Sequence, residues 1–405
     1  MRHKTTTIFL FFFVLTEILS GTAWTEYVPI NFCRYAHFIT GIGIFILLLI
    51  KPQENSVENR KDSKWVPWFL LAILLVWSIP KMNVLFIAHP LDFHQADMLP
   101  VIKTMCERWL SFAPVYTIIP EIWSGVLPVY LPALYLPYVP AVLLQFDMRW
   151  IGFVCTVMPL LYIILLRKSS SLSWLIFILL GLFFDFILHR RSEAFTLSEE
   201  GVVYGYYMMF AFFIYQRKYV AAGIIAACCL LSRYSGIFFI GALVACLWLM
   251  NQKREWKKYL SAGVITILIL IIGGRAWSQL GQWIGLSSVY VQNILDNPAK
   301  YQNVLNDGIG LMPLIGLEHV HLVFYLQVIL LILIAMVMIV WVKKFHHSFY
   351  YLTFLKLSLV VFYNLLILPY TYLMYTSVLV SIILFFLYAN HDFQYDKNSS
   401  HGEIH

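Results

Sequence analysis

The sequence predicts an all-α membrane protein, a polytopic bundle of about 12 transmembrane helices, and three observations support this fold class. Hydrophobic residues make up 61% of the 405 residues and charged residues only 12%, whereas a soluble chain carries about 25% charged residues. Long uncharged runs recur along the whole chain, and many approach the length that crosses a hydrocarbon core of about 30 Å. Lys and Arg lie mostly in the short stretches between these runs, as in membrane proteins oriented by basic loops.

The apolar runs place the individual spans. We predict spans at 6–24, 33–50, 66–83, 148–166, 172–188, 200–216, 219–232, 235–250, 259–275, 320–342, 350–367 and 369–388. The first run resembles a signal sequence, but Gly21–Trp24 is a poor cleavage site, so we expect this helix to be retained. The six cysteines have no spacing typical of a zinc site or a disulfide framework.

The spans divide the chain into three parts. Residues 1–65 predict an N-terminal transmembrane hairpin, 66–390 the main membrane module, and 391–405 a polar tail. The module contains two long outer loops, 84–124 and 276–319.

The five prolines between Pro120 and Pro140 argue against an ordinary helix. We therefore expect 120–145 to be a re-entrant or surface-lying segment, although a crossing by 125–145 stays open. Basic residues in 51–64, at 217–218 and at 343–344 predict that these loops and both termini are cytoplasmic.

The first outer loop contains the densest group of ionisable residues between spans. Asp92 lies just beyond a predicted span, where a partly desolvated carboxylate can act as a general base, or it is only a loop acid or helix cap. His94 and Asp97 are three residues apart, so a helix would place them on one face. With Asp92 they offer oxygen and nitrogen ligands for a divalent metal, but we favour a hydrogen-bonded His–Asp pair and expect no metal cofactor.

The same loop continues with VIKTMCERWLSF, which predicts an amphipathic helix. Lys103 and Arg108 on it are expected to lie near lipid phosphates. They bind either one lipid-linked phosphate or headgroups in general.

Several charged residues fall within or beside later spans. Asp185 lies in an apolar run, which makes it a functional candidate, or it pairs with Arg190 or Arg191. Arg233 separates two short spans and either holds a phosphate bidentately or only ends a helix. Lys356 is expected to snorkel to the membrane surface.

Two further groups complete the candidate residues. Glu199 contacts substrate, or Glu199 and Glu200 only form an acidic first turn that the helix dipole favours. Aromatic and amide residues alternate in the loop 276–319, which is typical of a carbohydrate-facing surface and also of an interfacial belt.

The order of these features resembles the GT-C superfamily of polytopic glycosyltransferases, particularly its bacterial polyprenol-dependent mannosyltransferase-like branch. The likeness covers roughly 66–390. It is carried by Asp92-Phe93 after a span, the Tyr/Pro-rich run 126–144, the acid-plus-glycine start Glu199-Glu200-Gly201, and Ser232-Arg233. It departs from the usual pattern because no second acid directly follows Asp92 and two extra spans precede the loop.

The resemblance implies a membrane glycosyltransferase of the bacterial inner or plasma membrane, active on the extracytoplasmic face. Its sugar donor would be linked to a polyprenyl phosphate, and its acceptor would be a cell-envelope glycan, lipid or protein. Asp92 matches the base of an inverting attack, and Arg233 matches a residue that steadies the lipid phosphate. Arg190 and Arg191 are candidates from topology alone, and no nucleic-acid partner is expected.

Two other functions remain open at this stage. An O-antigen-type polymerase or ligase would use histidines and an arginine of the outer loops, for which His319, His321 and Arg275 are the equivalents here. A transporter or flippase would have paired half-helices or an inverted repeat, and no such repeat is evident.

Overall fold

The computed structural model describes residues 2–22, 24–50, 65–92, 98–122, 125, 127–165, 170–250, 253–277, 292, 294–296, 298–345 and 348–389. Within these ranges the chain is helical and contains no β-strand. The predicted all-α class is therefore confirmed.

The first half of the chain contains nine helices within the described ranges. They are α1 Arg2–Gly21, α2 Ile30–Leu49, α3 Val66–Ala88, α4 Met98–Leu110, α5 Pro132–Tyr135, α6 Val139–Leu143, α7 Arg149–Leu165, α8 Ser170–Arg190 and α9 Glu193–Thr196. The described second half adds α10 Glu200–Tyr215, α11 Tyr219–Leu230, α12 Ile237–Leu249, α13 Lys253–Gly273, α14 Gln302–Asp307, α15 Met312–Ile315, α16 Val320–Phe345, α17 Ser348–Asn364 and α18 Thr371–Ala389.

Every predicted span coincides with one of these helices, with ends that differ by a few residues. Five stretches of the described chain are long and apolar enough to cross a membrane: Ile30–Leu49, Trp68–Ala88, Arg254–Gly273, Leu317–Val342 and Thr371–Ala389. Shorter apolar stretches of the described chain lie in α1, α7, α8, α11, α12 and α17. These helices identify a membrane protein, while the number of crossings and the sidedness stay predictions.

The burial of the helices separates the centre of the bundle from its edge. In α18, 83% of the apolar window is buried, and this helix packs against α1, α8, α10 and α17. In α13, the buried share is only 11%. We infer that α18 lies at the centre and that α13 faces outward along most of its length.

Glycines allow two helix pairs to approach closely. Gly201 and Gly205 lie one turn apart on α10; a side chain at Gly201 would collide with the backbone of Gly152 on α7, and one at Gly205 with the carbonyl oxygen of Cys155. A side chain at Gly223 on α11 would likewise collide with the backbone of α13. This spacing of small residues is the usual way in which membrane helices come into contact.

The connection between α3 and α7 begins and ends at neighbouring positions in the bundle. The buried Arg149, which begins α7, donates hydrogen bonds to the carbonyl oxygens of His89 and Phe86 at the end of α3, the latter at 2.9 Å. Its guanidinium also pairs with Asp147, with Nη2 2.6 Å from Oδ2. Between these points the described chain has only short helices, of which α4 is the longest at 13 residues. This path suits the predicted re-entrant or surface-lying segment; its depth in the lipid stays a prediction.

Candidate functional site

Two carboxylates and one guanidinium form a cluster where three helices end. Arg233 donates from Nε to Glu200 Oε1 at 2.7 Å and from Nη2 to Glu199 Oε1 at 2.9 Å, and its Nη2 also contacts Glu200 Oε1. Both glutamates are buried, whereas the Arg233 side chain exposes 33% of its surface. The cluster is therefore covered on its glutamate side and open on its arginine side.

Local structure explains why these residues meet. Glu200 is the first residue of α10 and Glu199 precedes it, a position where the helix dipole favours negative charge. Arg233 lies in the extended break between α11 and the turn that starts α12. Because α10 packs against α11, the break places the guanidinium beside the start of α10.

The three charged groups leave unused hydrogen-bonding capacity. Glu200 Oε2 is buried and accepts no hydrogen bond from the part of the chain that the structure describes. Within the same part, Arg233 donates through Nε and Nη2 but not through Nη1. With both carboxylates ionised, the cluster carries one more negative than positive charge. Such a cluster suits uncharged hydroxyl groups better than a phosphate.

Tyrosine hydroxyls surround the cluster and connect it to the rest of the bundle. Tyr138 donates to the carbonyl oxygen of Glu199 at 3.3 Å, and Tyr204 donates to that of Tyr372 at 2.5 Å. Just after Arg233 in the chain, the Ser235 hydroxyl donates to the Tyr207 hydroxyl at 2.7 Å and lies 3.3 Å from the Tyr363 hydroxyl. The cluster thus lies at one end of a network of polar side chains within the bundle.

The segment that follows Asp92 reaches across this end of the bundle. Besides the contact of Tyr138, the Trp109 indole donates to Gly273 O at 2.7 Å and the Tyr135 hydroxyl to Gly274 O at 2.5 Å. The segment therefore links the start of α10 with the end of α13.

Two titratable side chains of this connecting segment, those of Tyr116 and Cys106, are buried. Burial raises the pKa of Tyr116, whose hydroxyl donates to the carbonyl oxygen of Tyr130 at 3.0 Å. Burial also raises the pKa of the Cys106 thiol to about 12, so this cysteine is no candidate nucleophile. The six cysteines are free in the structure and lie buried or half-buried.

The acids of the first loop are only partly within the described residues. Asp92 is half-buried and lies a few residues beyond Ala88, where α3 ends. His94 and Asp97 lie outside the described residues, so both the His–Asp pair and the metal site with Asp92 stay predictions. Across the described ranges, no group of three His, Cys, Asp or Glu residues could hold a metal ion.

The two predicted cations of α4 have different surroundings. Lys103 is more than half exposed, and its Nζ lies 4.0 Å from Glu107 Oε1. Arg108 donates to the carbonyl oxygens of Val115 at 3.4 Å, Thr117 at 2.5 Å and Ile118 at 3.0 Å. The Arg108 guanidinium thus holds the loop after α4, which leaves Lys103 as the cation of this helix that is open to a ligand.

Asp185 pairs within its own helix and with α3. Its Oδ1 lies 2.9 Å from His189 Nδ1 and 3.8 Å from Lys81 Nζ. Ion pairing was one of the two predictions for this acid, and its described partners are Lys81 and His189 rather than Arg191. Arg191 donates to the Thr25 hydroxyl at 2.9 Å, and the side chain of Arg190 is outside the described part.

The two histidines at the end of the predicted outer loop 276–319 are exposed. His319 Nε2 lies 3.9 Å from the carboxylate of Glu318, and His321 is at the exposed start of α16. No hydrogen bond between described residues joins either one to the Arg233 cluster.

Sequence reasoning missed the roles of three residues. Glu200 was not among the predicted substrate contacts, although the doublet Glu199-Glu200 was noticed. The prediction that Lys356 snorkels is wrong, because its side chain is buried and its Nζ lies 2.5 Å from Glu17 Oε1. Arg275, considered only for a polymerase, lies over the rings of Trp109 and Phe112. The sequence did contain a signal for Arg275, because this basic residue directly follows Gly273 and Gly274 at the end of a predicted span.

No protein-family model matches the chain, and comparisons with curated proteins and with solved structures found no significant similarity. The resemblance to GT-C glycosyltransferases therefore depends on the short motifs given above.

Proposed function

We propose that the chain is a membrane glycosyltransferase that transfers a sugar from a polyprenyl-phosphate-linked donor to a cell-envelope acceptor on the extracytoplasmic face. One observation carries the proposal: the segment after Asp92 bonds both to the start of α10, where the Arg233 cluster lies, and to the end of α13 beside Arg275. Polar chemistry is thus concentrated at one end of an apolar bundle. A donor with a lipid tail needs such a site at the membrane boundary.

In the proposed reaction, Asp92 removes the proton from an acceptor hydroxyl. The hydroxyl oxygen forms a bond to the anomeric carbon while the bond from that carbon to the phosphate oxygen breaks. The electron pair of that bond leaves with the polyprenyl phosphate, and attack from the opposite face inverts the anomeric configuration. General-base assistance of this kind contributes about 10²- to 10⁴-fold.

The Arg233 cluster supports the proposal as a place for the sugar. The unused Nη1 donor of Arg233 lies on the open side of the cluster and matches a hydroxyl oxygen of a neutral sugar ring. The neighbouring Tyr234 exposes 48% of its surface and offers an aromatic face to such a ring.

The test measures release of polyprenyl phosphate, a product that does not depend on the identity of the acceptor. Purified full-length protein in lipid nanodiscs receives a panel of polyprenyl-phosphate sugars together with isolated envelope glycans, lipids and proteins. We expect turnover with at least one sugar and a loss of about 10²-fold or more for Asp92→Asn. Glu121→Gln, an exposed acid farther along the same segment, is the matched control and should retain activity.

Three outcomes would overturn the proposal. A folded Asp92→Asn protein with full turnover would remove the base. Activity only on diphosphate-linked oligosaccharides, lost in His319→Ala or His321→Ala but kept in Asp92→Asn, would identify a polymerase or ligase. Movement of the intact lipid-linked sugar across a vesicle membrane, without release of phosphate, would identify a transporter.

A further inference from the structure

Arg275 has an unusual environment for an arginine at the end of a membrane helix. It follows Gly274, just beyond the end of α13. Its guanidinium carbon lies 4.5 Å from the ring centre of Phe112 and 5.8 Å from that of Trp109. Cation–π contacts of this kind orient a guanidinium without using its N–H donors. The group is therefore held in place while its hydrogen-bonding edge stays available.

The other arginines described at this end of the bundle already use their donors. Their guanidinium groups hydrogen-bond to carbonyl, hydroxyl, amide or carboxylate oxygens of the protein; they are Arg34, Arg108, Arg149, Arg191 and Arg233. Arg275 donates no side-chain hydrogen bond to any described residue and forms no ion pair with one. It is thus the arginine of this group whose side-chain donors stay available for a ligand.

The backbone that carries Arg275 is fixed by the same segment that supplies the two rings. Trp109 and Tyr135 donate to the carbonyl oxygens of Gly273 and Gly274. Arg275 itself has a φ of 51°, in the left-handed region that residues other than glycine rarely occupy. Its amide donates to Ile272 O at 3.0 Å. A ligand would therefore meet a preorganised cation.

An apolar surface leads from the bilayer to this cation. Helix α13 has the lowest buried share of the five candidate spans, and apolar side chains are exposed along its second half: Val264, Ile265, Leu268, Ile269 and Ile272. At its end the rings of Phe112 and Trp277 expose 84% and 64% of their surfaces, as aromatic residues do at a membrane interface.

We propose that Arg275 binds the phosphate of an isoprenoid phosphate lipid whose chain lies along the exposed face of α13. This inference rests on the proposed function and names the residue that holds the leaving group. Guanidinium and phosphate form paired, charge-assisted hydrogen bonds. Arg233 is less suited to this role, because two carboxylates already neutralise it.

Binding of farnesyl phosphate tests the site without any turnover. Native mass spectrometry of the full-length protein in phosphatidylcholine nanodiscs gives the dissociation constant. We expect Arg275→Gln to weaken binding by about 10- to 100-fold, the range for lost charge-assisted hydrogen bonds. The matched control is Arg254→Gln, which removes an exposed arginine at the other end of the same helix and should leave binding unchanged.

Competitors identify what is recognised. Farnesol, inorganic phosphate and phosphatidylglycerol should not displace bound farnesyl phosphate. Displacement by phosphatidylglycerol at equal concentration would mean a general headgroup contact and would overturn the inference. Equal binding by wild type and Arg275→Gln, with unchanged thermal unfolding, would overturn it as well.

The binding measurement and the turnover assay together separate this inference from the proposed function. Arg275-dependent binding in a protein that never releases polyprenyl phosphate would support the site and defeat the transferase. Turnover that needs Asp92 but is indifferent to Arg275→Gln would support the transferase and defeat the site.

Discussion

The buried ion pair between the first helix and α17 gives the sharpest test of the packing. Lys356 Nζ lies 2.5 Å from Glu17 Oε1 and 2.7 Å from Ser377 Oγ, and Ser381 donates to the other carboxylate oxygen at 2.7 Å. The side chains of both charged residues are fully buried. The perturbation removes the charges singly and together, as Lys356→Met, Glu17→Gln and the double variant.

The expected magnitudes follow from which group is left behind. Lys356→Met leaves a buried carboxylate whose remaining side-chain donor among the described residues is Ser381. Glu17→Gln leaves a buried ammonium beside Ser377. Removing one partner of a buried pair costs about 3–5 kcal/mol, whereas replacing both with uncharged groups is often nearly neutral. We expect the double variant to lie within about 2 kcal/mol of wild type and above both single variants.

The assay is unfolding of the purified protein in mixed micelles, titrated with dodecyl sulfate and followed by tryptophan fluorescence. The double-mutant cycle then gives the interaction free energy directly. Ser358→Ala, which removes a buried hydroxyl from the same helix, is the control for a change that leaves no unpaired charge. Single variants as stable as wild type, or a double variant that loses the sum of the two, would refute the reasoning.

Two further predictions concern the helix contacts and the Arg233 cluster. Gly205→Ala should destabilise the protein by about 1–3 kcal/mol, because the new methyl group would meet the backbone of Cys155. The control is Gly241→Ala, where a methyl group would enter open space. It should be neutral or slightly stabilising in the same unfolding assay. Arg233→Met should cost about 3–5 kcal/mol by leaving two buried carboxylates, and adding Glu200→Gln should recover part of that loss; a stable single variant would contradict the described pairing.

The sequence predicted the helices well because the length of an apolar run is a local property. The runs at 200–216 and 219–232 became α10 and α11 almost residue for residue. The connection between Pro120 and Pro140 was also recognisable, since proline prevents a long regular helix regardless of its partners.

The partners of the charged residues were not predictable, because pairing depends on distant parts of the chain. Lys356 lies in an apolar run that looks the same whether its amine reaches the surface or a buried acid. Its partner Glu17 is 339 positions away. Arg275 stands out only once the donors of the neighbouring arginines are seen to be occupied, which no local pattern reveals. The roles of His94 and Asp97 stay predictions for a different reason, since both residues lie outside the described residues.

The pairing of Glu17 with Lys356 also sets an order of events during biosynthesis. A ribosome adds roughly 5 to 20 residues per second, so the 339 positions between them take roughly 20 to 70 seconds to translate. During that interval the Glu17 carboxylate on α1 has no Lys356 amine to pair with. Helix α1 therefore gains this buried ion pair only after α17 has been made.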